Sequence, residues 1–186
     1  MSLQPVKEAV ADRLAVFAKV LELFTGGFSV TAGDLSGVTL PEGSLIKVNE
    51  STRAATVVKA AKSAADSASV TQHLVEDPGL LRVGDRVTFG HTATSAAIAS
   101  IAASGDNYLI TVNTGFRVGA TGDILYESGA TAQPAVVANS IARYAAKFGG
   151  EVTALRRGTA YKNRLQPHAA GNLADLPATI QLSDSY

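Results

Sequence analysis

The histidines are the first residues to test for chemistry, because metal sites have recognisable ligand spacing. His73, His91 and His168 lie far apart in the chain. A zinc site typically places two histidines three or four residues apart on a helix, or combines them with cysteines. Neither pattern occurs here, and the chain contains no cysteine. We interpret the three histidines as polar surface or turn residues and predict no metal-ligating residues.

The glycines from Gly115 to Gly122 are the second candidate, because backbone N–H groups of a glycine-rich loop can hold a phosphate. The segment reads Gly-Phe-Arg-Val-Gly-Ala-Thr-Gly. It lacks both the Gly-x-Gly-x-x-Gly spacing and a Gly-Lys-Ser/Thr ending. A strand pattern follows it, where a phosphate loop requires the N-terminus of a helix. We interpret these residues as turn glycines and predict no cofactor and no cofactor-binding residues.

Nucleophilic and acid–base catalysis leave no recognisable pattern either. The chain has no Gly-x-Ser-x-Gly elbow. Glu76, Asp77 and Asp106 stand beside turn-forming residues, where solvated carboxylates are the ordinary outcome. We therefore predict no catalytic residues and a protein that is not an enzyme. The competing hypothesis is an enzyme whose site combines distant residues, with His73 or His91 beside a buried carboxylate.

A basic cluster near the C-terminus is the candidate interaction patch. Arg156, Arg157, Lys162 and Arg164 lie close in sequence, and Tyr161 stands among them. Basic residues interleaved with aromatics are typical of nucleic-acid grooves. However, 16 basic and 16 acidic residues cancel over the whole chain, and one aromatic is few. The sequence favours a solvated face or a contact between subunits over a nucleic-acid partner.

The overall composition indicates a folded domain with few surface charges. Of 186 residues, 46% are hydrophobic and only 17% are charged, against about 25% charged in ordinary soluble domains. Such a surface is either small and polar or covered by other copies of the chain. The absence of cysteine fits a cytosolic origin. Charged residues interrupt the N-terminal segment, and no apolar run approaches the about 20 residues of a membrane helix, so we expect neither export nor a membrane partner.

The stretch from residue 80 to residue 127 organises the predicted fold. Gly84-Asp85 and Gly122-Asp123 each precede a short run of apolar, β-branched or aromatic residues. Glycine tolerates positive φ, and we expect each aspartate to bond the backbone just beyond it. Residues 45–48 and 54–60 read as a hairpin and residues 70–75 as a further strand, while residues 61–69 read as a short helix or a loop, with the loop favoured. The fold class is therefore mainly β, a small antiparallel β-barrel or sandwich with N- and C-terminal extensions.

The flanking segments have weaker patterns. Residues 14–24 fit either a helix face or strand alternation, and residues 135–148 have helical apolar spacing, with strands still open. The tail from Leu165 has little periodicity, and we expect it to be extended. The chain then divides into an N-terminal arm (1–40), a β-barrel-like domain (41–134) and a C-terminal helix or strand plus extended tail (135–186).

Four short pieces of the sequence are similar to one known family. They are residues 42–59, the Val-Gly-Asp step at 83–85, the Arg-Gly-Thr-Ala-Tyr run at 157–161 and the Leu-Pro-Ala-Thr-Ile run at 176–180. Together they resemble the head fibre or capsid decoration proteins of phages and prophages of Bacteroides-type bacteria, over residues 41–182. The resemblance implies a non-enzymatic virion structural protein. It carries over no individual functional residue.

These observations lead to two expectations about function. The first is a phage- or prophage-derived structural protein that acts through homo-oligomeric contacts, with a trimer expected, and through the major capsid protein. Residues 14–24 or the C-terminal tail would supply the contacts between subunits, in the virion or in the bacterial cytoplasm where a prophage gene is expressed. The alternative is a ligand-binding β-barrel module for nucleic acid or glycan that uses the basic cluster.

Overall fold

A computed structural model describes residues 15–30, 35, 38–90, 94–129, 134–144 and 150–184. Within these ranges the protein is mainly β, which confirms the predicted fold class. The strands are β1 (Phe17–Leu23), β2 (Phe28–Val30), β3 (Leu45–Asn49), β4 (Ala54–Val57), β5 (Ala60–Lys62), β6 (Gln72–Val75), β7 (Arg86–Phe89), β8 (Ala96–Ser104), β9 (Asn107–Val112), β10 (Ile124–Glu127), β11 (Ser140–Ile141), β12 (Glu151–Val152), β13 (Leu155–Tyr161) and β14 (Ile180–Ser183). A 3-10 turn spans Lys162–Arg164, and helix α1 spans Ala170–Ala174.

The strands form three sheets. Their strand orders are β1-β13-β14, β5-β10-β7-β8-β9-β6 and β11-β3-β4-β2-β12. Neighbouring strands are antiparallel except for two parallel pairs, β2 with β4 and β13 with β14. The five-stranded sheet takes strands from each of the predicted segments 1–40, 41–134 and 135–186. The division of the chain into domains at residues 40 and 134 remains a prediction.

The six-stranded sheet curls until its two edge strands meet. The Glu76 N–H donates to the Lys62 carbonyl (3.0 Å), and the Ala64 N–H donates to the Leu74 carbonyl (2.9 Å). These bonds join β5 to β6, so the sheet is barrel-like. Its interior is filled by apolar side chains: Ala61, Val75, Leu81, Val87, Phe89, Ala96, Ile98, Ile110, Val112, Phe116 and Leu125. The organising stretch at residues 80–127 thus supplies four of the six strands, β7 to β10.

The five-stranded sheet contains the predicted hairpin, with a return strand that ends at Val57 rather than at Ala60. In it β3 pairs with β4, and Asn49 Oδ1 accepts the N–H groups of Ser51 (3.0 Å) and Thr52 (3.3 Å), which holds the turn. A second apolar cluster that includes Phe28, Ile46, Val57 and Val152 packs on this sheet. The expected loop at residues 61–69 is wrong at its start, because Ala60–Lys62 is β5 and pairs with β10.

The segment from residue 14 to residue 24 is a strand where it is described. Phe17–Leu23 is β1 and pairs antiparallel with β13. A helix over the same residues would satisfy its own backbone groups, whereas β1 satisfies them against β13. Residue 14 itself lies outside the described residues.

Of the two interpretations left open for residues 135–148, the part that the structure describes contains a strand and no helix. Ser140–Ile141 forms β11 on the edge of β3. The Asn139 side chain accepts the Val48 N–H (2.8 Å) and donates to the Val48 carbonyl (3.0 Å), so it acts as one more strand residue. Residues 139–141 pair with β3 because the backbone N–H and C=O groups on its free edge need hydrogen-bond partners. Residues 145–149 lie outside the described residues.

The tail is folded rather than only extended, so that expectation is wrong. After the 3-10 turn, α1 is followed by β14, which pairs in parallel with β13. Ile180 is buried, and Leu165, Leu173 and Leu176 pack against the same apolar cluster as Phe17. Burial of these apolar side chains stabilises the packing of the tail against the rest of its own chain. No helix among the described residues is long and apolar enough to cross a membrane.

Candidate interaction surface

The three-stranded sheet β1-β13-β14 carries the first part of the predicted patch. Its inner side packs on a cluster that includes Phe17, Leu155, Ala160 and Ile180. Arg156 and Arg157 are both exposed although they are adjacent, at a point where the pairing of β13 with β1 shifts register. A groove of about 480 Å³ crosses the sheet. Its lining residues are Leu21, Glu22, Arg156, Arg157, Gly158, Thr159, Ala178, Thr179 and Gln181.

Gly158 allows the two strands under the groove to approach closely. The pairing of β1 with β13 shifts register on both sides of the Val20–Gly158 pair. An added Cβ at Gly158 would lie 2.5 Å from the Lys19 carbonyl oxygen, which is a backbone atom and cannot rotate away. The Gly in the Arg-Gly-Thr run therefore has a structural role, since only a residue without a side chain fits there.

The structure divides the predicted patch into two groups. Arg156 and Arg157 line the groove, while Tyr161, Lys162 and Arg164 lie at the far end of β13 and in the 3-10 turn. Tyr161 lies four positions along the strand from Arg157, a span of about 13 Å. The five residues therefore do not form one continuous patch.

Most of the basic side chains are already engaged within the chain. Arg156 pairs with Glu22 (3.1 Å), and Lys162 pairs with Asp184 (3.6 Å). Arg164 donates to the Ala15 carbonyl (2.6 Å), and its guanidinium lies 4.5 Å from the centre of the Tyr161 ring. Arg157 is exposed, and no ion pair joins it to another residue in the described part of the chain. Ion pairing of this kind reduces the positive field that a nucleic-acid backbone would require.

Strand β1 exposes apolar side chains beside the groove. Five of its seven residues, Ala18 to Glu22, are exposed. Val20 is 36% exposed and Leu21 is 53% exposed, and Leu21 lies at a register shift between the pairs of Val20 and Glu22 with β13. β1 is also an edge strand of its sheet. An exposed edge strand with adjacent exposed apolar residues is a surface suited to association.

Sequence reasoning named the arginines of this surface individually and named residues 14–24 only as a whole segment, so it did not single out Leu21 and Glu22. A signal for them was present, because Val20 and Leu21 are consecutive apolar residues in a segment that also fits strand alternation. Two consecutive apolar residues in a strand indicate that both faces become covered. This signal could not be interpreted while residues 14–24 fitted either a helix or a strand, because on a helix Val20 and Leu21 share one broad apolar face.

The histidines are placed differently from the prediction in one case. His73 is fully buried inside the barrel-like sheet, so its interpretation as a surface residue is wrong. Alternation along β6 directs His73 and Val75 inward. Its ring centre lies 5.2 Å from that of Phe89 and 4.7 Å from that of Phe116, and Nδ1 is hydrogen-bonded with Ser67 Oγ at 2.8 Å. Burial lowers the pKa of His73.

The remaining candidates for a catalytic or metal site are the other two histidines and the carboxylates. Nδ1 of His168 lies 2.7 Å from the Gln166 carbonyl oxygen, and burial lowers the pKa of His168. His91 lies outside the described residues. None of the contacts of His73 that the structure describes involves a carboxylate. Within the described part of the chain, no group of three or more His, Asp or Glu side chains could hold a metal ion.

Comparisons with protein-family models, with curated proteins and with solved structures found no match to this chain.

Proposed function

We propose that the protein is a non-enzymatic structural component of a phage or prophage virion, of the capsid decoration or head fibre type. It acts as a closed homo-oligomer, with a trimer proposed, that binds the major capsid protein. The observation that carries the proposal is β1, whose residues Ala18 to Glu22 are exposed at a sheet edge. The resemblance of residues 42–59 and 157–161 to such proteins supports the virion assignment.

The groove beside β1 supports contact with another copy of the chain. It combines one acidic residue, Glu22, with two basic residues, Arg156 and Arg157, around the apolar Leu21. An interface with an apolar centre and charges of both signs at its rim is ordinary for association between proteins. Because the tail strand β14 forms the opposite edge of the same sheet, the sheet presents two edges to neighbouring copies.

The first experiment measures the solution mass by light scattering after size exclusion, over a range of concentrations. We expect a closed oligomer in the wild type and dissociation in Leu21→Lys, because the lysine places a charge in the proposed interface. Val118→Lys is the matched control, since Val118 is 50% exposed and lies outside the groove. A wild type that remains monomeric at every concentration contradicts the homo-oligomer.

The second experiment tests the capsid contact by co-sedimentation of the protein with phage capsid particles. We expect the wild type in the pellet and Leu21→Lys in the supernatant if oligomerisation is needed for attachment. A wild-type oligomer that never sediments with capsids contradicts the virion function without contradicting oligomerisation.

The alternative function is a β-barrel module that binds nucleic acid or glycan through the groove. Arg157 supports it, because this side chain is exposed beside the groove and forms no ion pair with another described residue. Binding of single-stranded DNA or RNA that weakens with added salt, and that is lost in Arg157→Gln, would favour this alternative. Absence of any binding at low salt removes the nucleic-acid form.

A further inference from the structure

A lysine and two carboxylates meet at one end of the barrel-like sheet. Lys59 directly precedes β5, Asp85 directly precedes β7, and Glu127 ends β10. Since β10 lies between β5 and β7 and is antiparallel to both, these three positions fall at the same end of three neighbouring strands. Nζ of Lys59 is 3.1 Å from both Oδ1 and Oδ2 of Asp85 and 3.4 Å from Oε1 of Glu127.

All three side chains are largely removed from water. Lys59 is 7% exposed, Asp85 16% and Glu127 22%. The residues that follow Lys59 and precede Glu127, Ala60 and Tyr126, are also buried. Few water molecules therefore reach the amine and the carboxyl groups, and the three side chains contact one another instead.

The backbone holds the reacting groups in fixed positions. The Glu127 N–H donates to the Lys59 carbonyl (2.9 Å), so the two residues are locked side by side. Asp85 is held in a tight turn, because its N–H donates to the Arg82 carbonyl (3.1 Å) and its carbonyl accepts the Ile98 N–H (2.9 Å). Its Oδ2 also accepts the Arg82 N–H (2.8 Å). Reactants held in this way lose little further freedom on reaction.

We propose that Lys59 and Asp85 form an intramolecular isopeptide bond, with Glu127 as the residue that transfers the protons. Nζ of Lys59 gives a proton to Glu127 and attacks Cγ of Asp85, which forms the C–N bond. Glu127 delivers protons from Nζ to Oδ1, the Cγ–Oδ1 bond breaks, and Oδ1 leaves as water. Two hydrogens of the ammonium and one carboxylate oxygen make that water, so the reaction needs no oxidant, reductant or other co-reactant.

The Arg82 N–H has a role in this reaction. During the attack, negative charge develops on the oxygen of Asp85 that stays, and the Arg82 N–H already donates to Oδ2. A preorganised backbone donor at such an oxygen stabilises the transition state. Oδ2 is therefore the oxygen retained in the amide, and Oδ1 is the one released. Oε1 of Glu127 lies 3.4 Å from Nζ in the arrangement before reaction, and such a contact tightens as the reaction proceeds.

The intact mass of the denatured wild-type protein tests the proposal directly. We expect a mass lower by one water molecule than the mass calculated from the sequence. A second measurement on the same wild-type sample locates the bond. Trypsin cleaves after lysine and arginine, and a modified Lys59 resists cleavage, so residues 54–62 should appear joined to residues 83–86 as one branched peptide. Recovery of the calculated mass, with free peptides 54–59 and 83–86, overturns the proposal.

Variants then assign the roles of the side chains. Lys59→Arg, Asp85→Ala and Glu127→Gln should each have the mass calculated for their sequence, with no loss of water. Asp123→Ala is the matched control and should keep the loss, because Asp123 occupies the same place in the second Gly-Asp turn and faces Arg117 rather than a lysine. If Glu127→Gln still loses water, Glu127 does not transfer the protons. The peptide map of the wild type decides the bond itself even if a variant does not fold.

Discussion

The two Gly-Asp turns of the barrel-like sheet have the same local structure and different surroundings. Gly84 and Gly122 both have positive φ, +95° and +86°. In each turn the aspartate N–H donates to the carbonyl three residues earlier, and the carboxylate Oδ2 accepts the N–H of that same residue. Both aspartates thus bond the backbone before them, which corrects the expectation that they would bond the backbone beyond them.

The turns differ in the charged side chain that contacts the carboxylate. Asp85 is 16% exposed and meets the buried Lys59, whereas Asp123 is 37% exposed and lies 3.5 Å from the exposed Arg117. Since β7 and β10 are antiparallel, the turns lie at opposite ends of the strand pair. Local sequence therefore determines the turn, and the position in the sheet determines whether its carboxylate also takes part in a buried cluster.

Removal of each carboxylate in turn should give the largest difference in unfolding free energy between the two turns. Asp85→Ala leaves the buried Lys59 with one carboxylate fewer, and we expect a loss of about 3 kcal/mol in the free energy of unfolding. An isopeptide bond would add about 3 kcal/mol to that difference, because it constrains the unfolded chain between residues 59 and 85. Asp123→Ala should cost about 1 kcal/mol or less. Urea unfolding of the wild type and both variants provides the measurement.

Two outcomes of this experiment would change the comparison. Equal losses in Asp85→Ala and Asp123→Ala would show that burial does not distinguish the two carboxylates. A small loss in Asp85→Ala, together with an unmodified wild-type mass, would show that the Lys59 cluster adds little to stability beyond the turn.

Substitution of the two glycines should show the similarity of the turns. Gly84→Ala and Gly122→Ala place a side chain at positive φ, where an added Cβ meets no atom within 4 Å. The cost is then backbone strain alone, and we expect about 1 kcal/mol in each variant, equal within error. Urea unfolding measures both. A clearly larger loss in Gly84→Ala would mean that the Asp85 turn cannot relax without moving the buried carboxylate.

These turns show how far the sequence could predict the fold. Gly-Asp followed by a β-rich run predicted both turns and the strands β7 and β10, because turn chemistry and strand preference are local properties. The same local reasoning predicted the hairpin of β3 and β4. It could not predict that β11 would cover the edge of β3, because that depends on an unpaired edge far away in the sequence.

The same limit applies to the candidate sites. The basic cluster was visible as five residues close in sequence, yet β13 is extended and separates Arg157 from Tyr161. Conversely, Lys59, Asp85 and Glu127 are distant in sequence, and only the pairing of β10 with both β5 and β7 brings them together. Each of these residues by itself reads as an ordinary turn or strand charge.

The smallest expected difference between the two turns is in how added salt changes the loss of stability when a charged side chain is removed. Arg117→Gln removes the exposed partner of Asp123, and we expect a loss of about 0.2–0.5 kcal/mol at low salt. The loss should vanish at 1 M salt, where the screening length falls to about 3 Å. The loss in Asp85→Ala should persist at 1 M salt, because a buried cluster is screened far less. If added salt reduces both losses equally, solvent reaches Lys59 as freely as Arg117, and the environment that the isopeptide bond requires is absent.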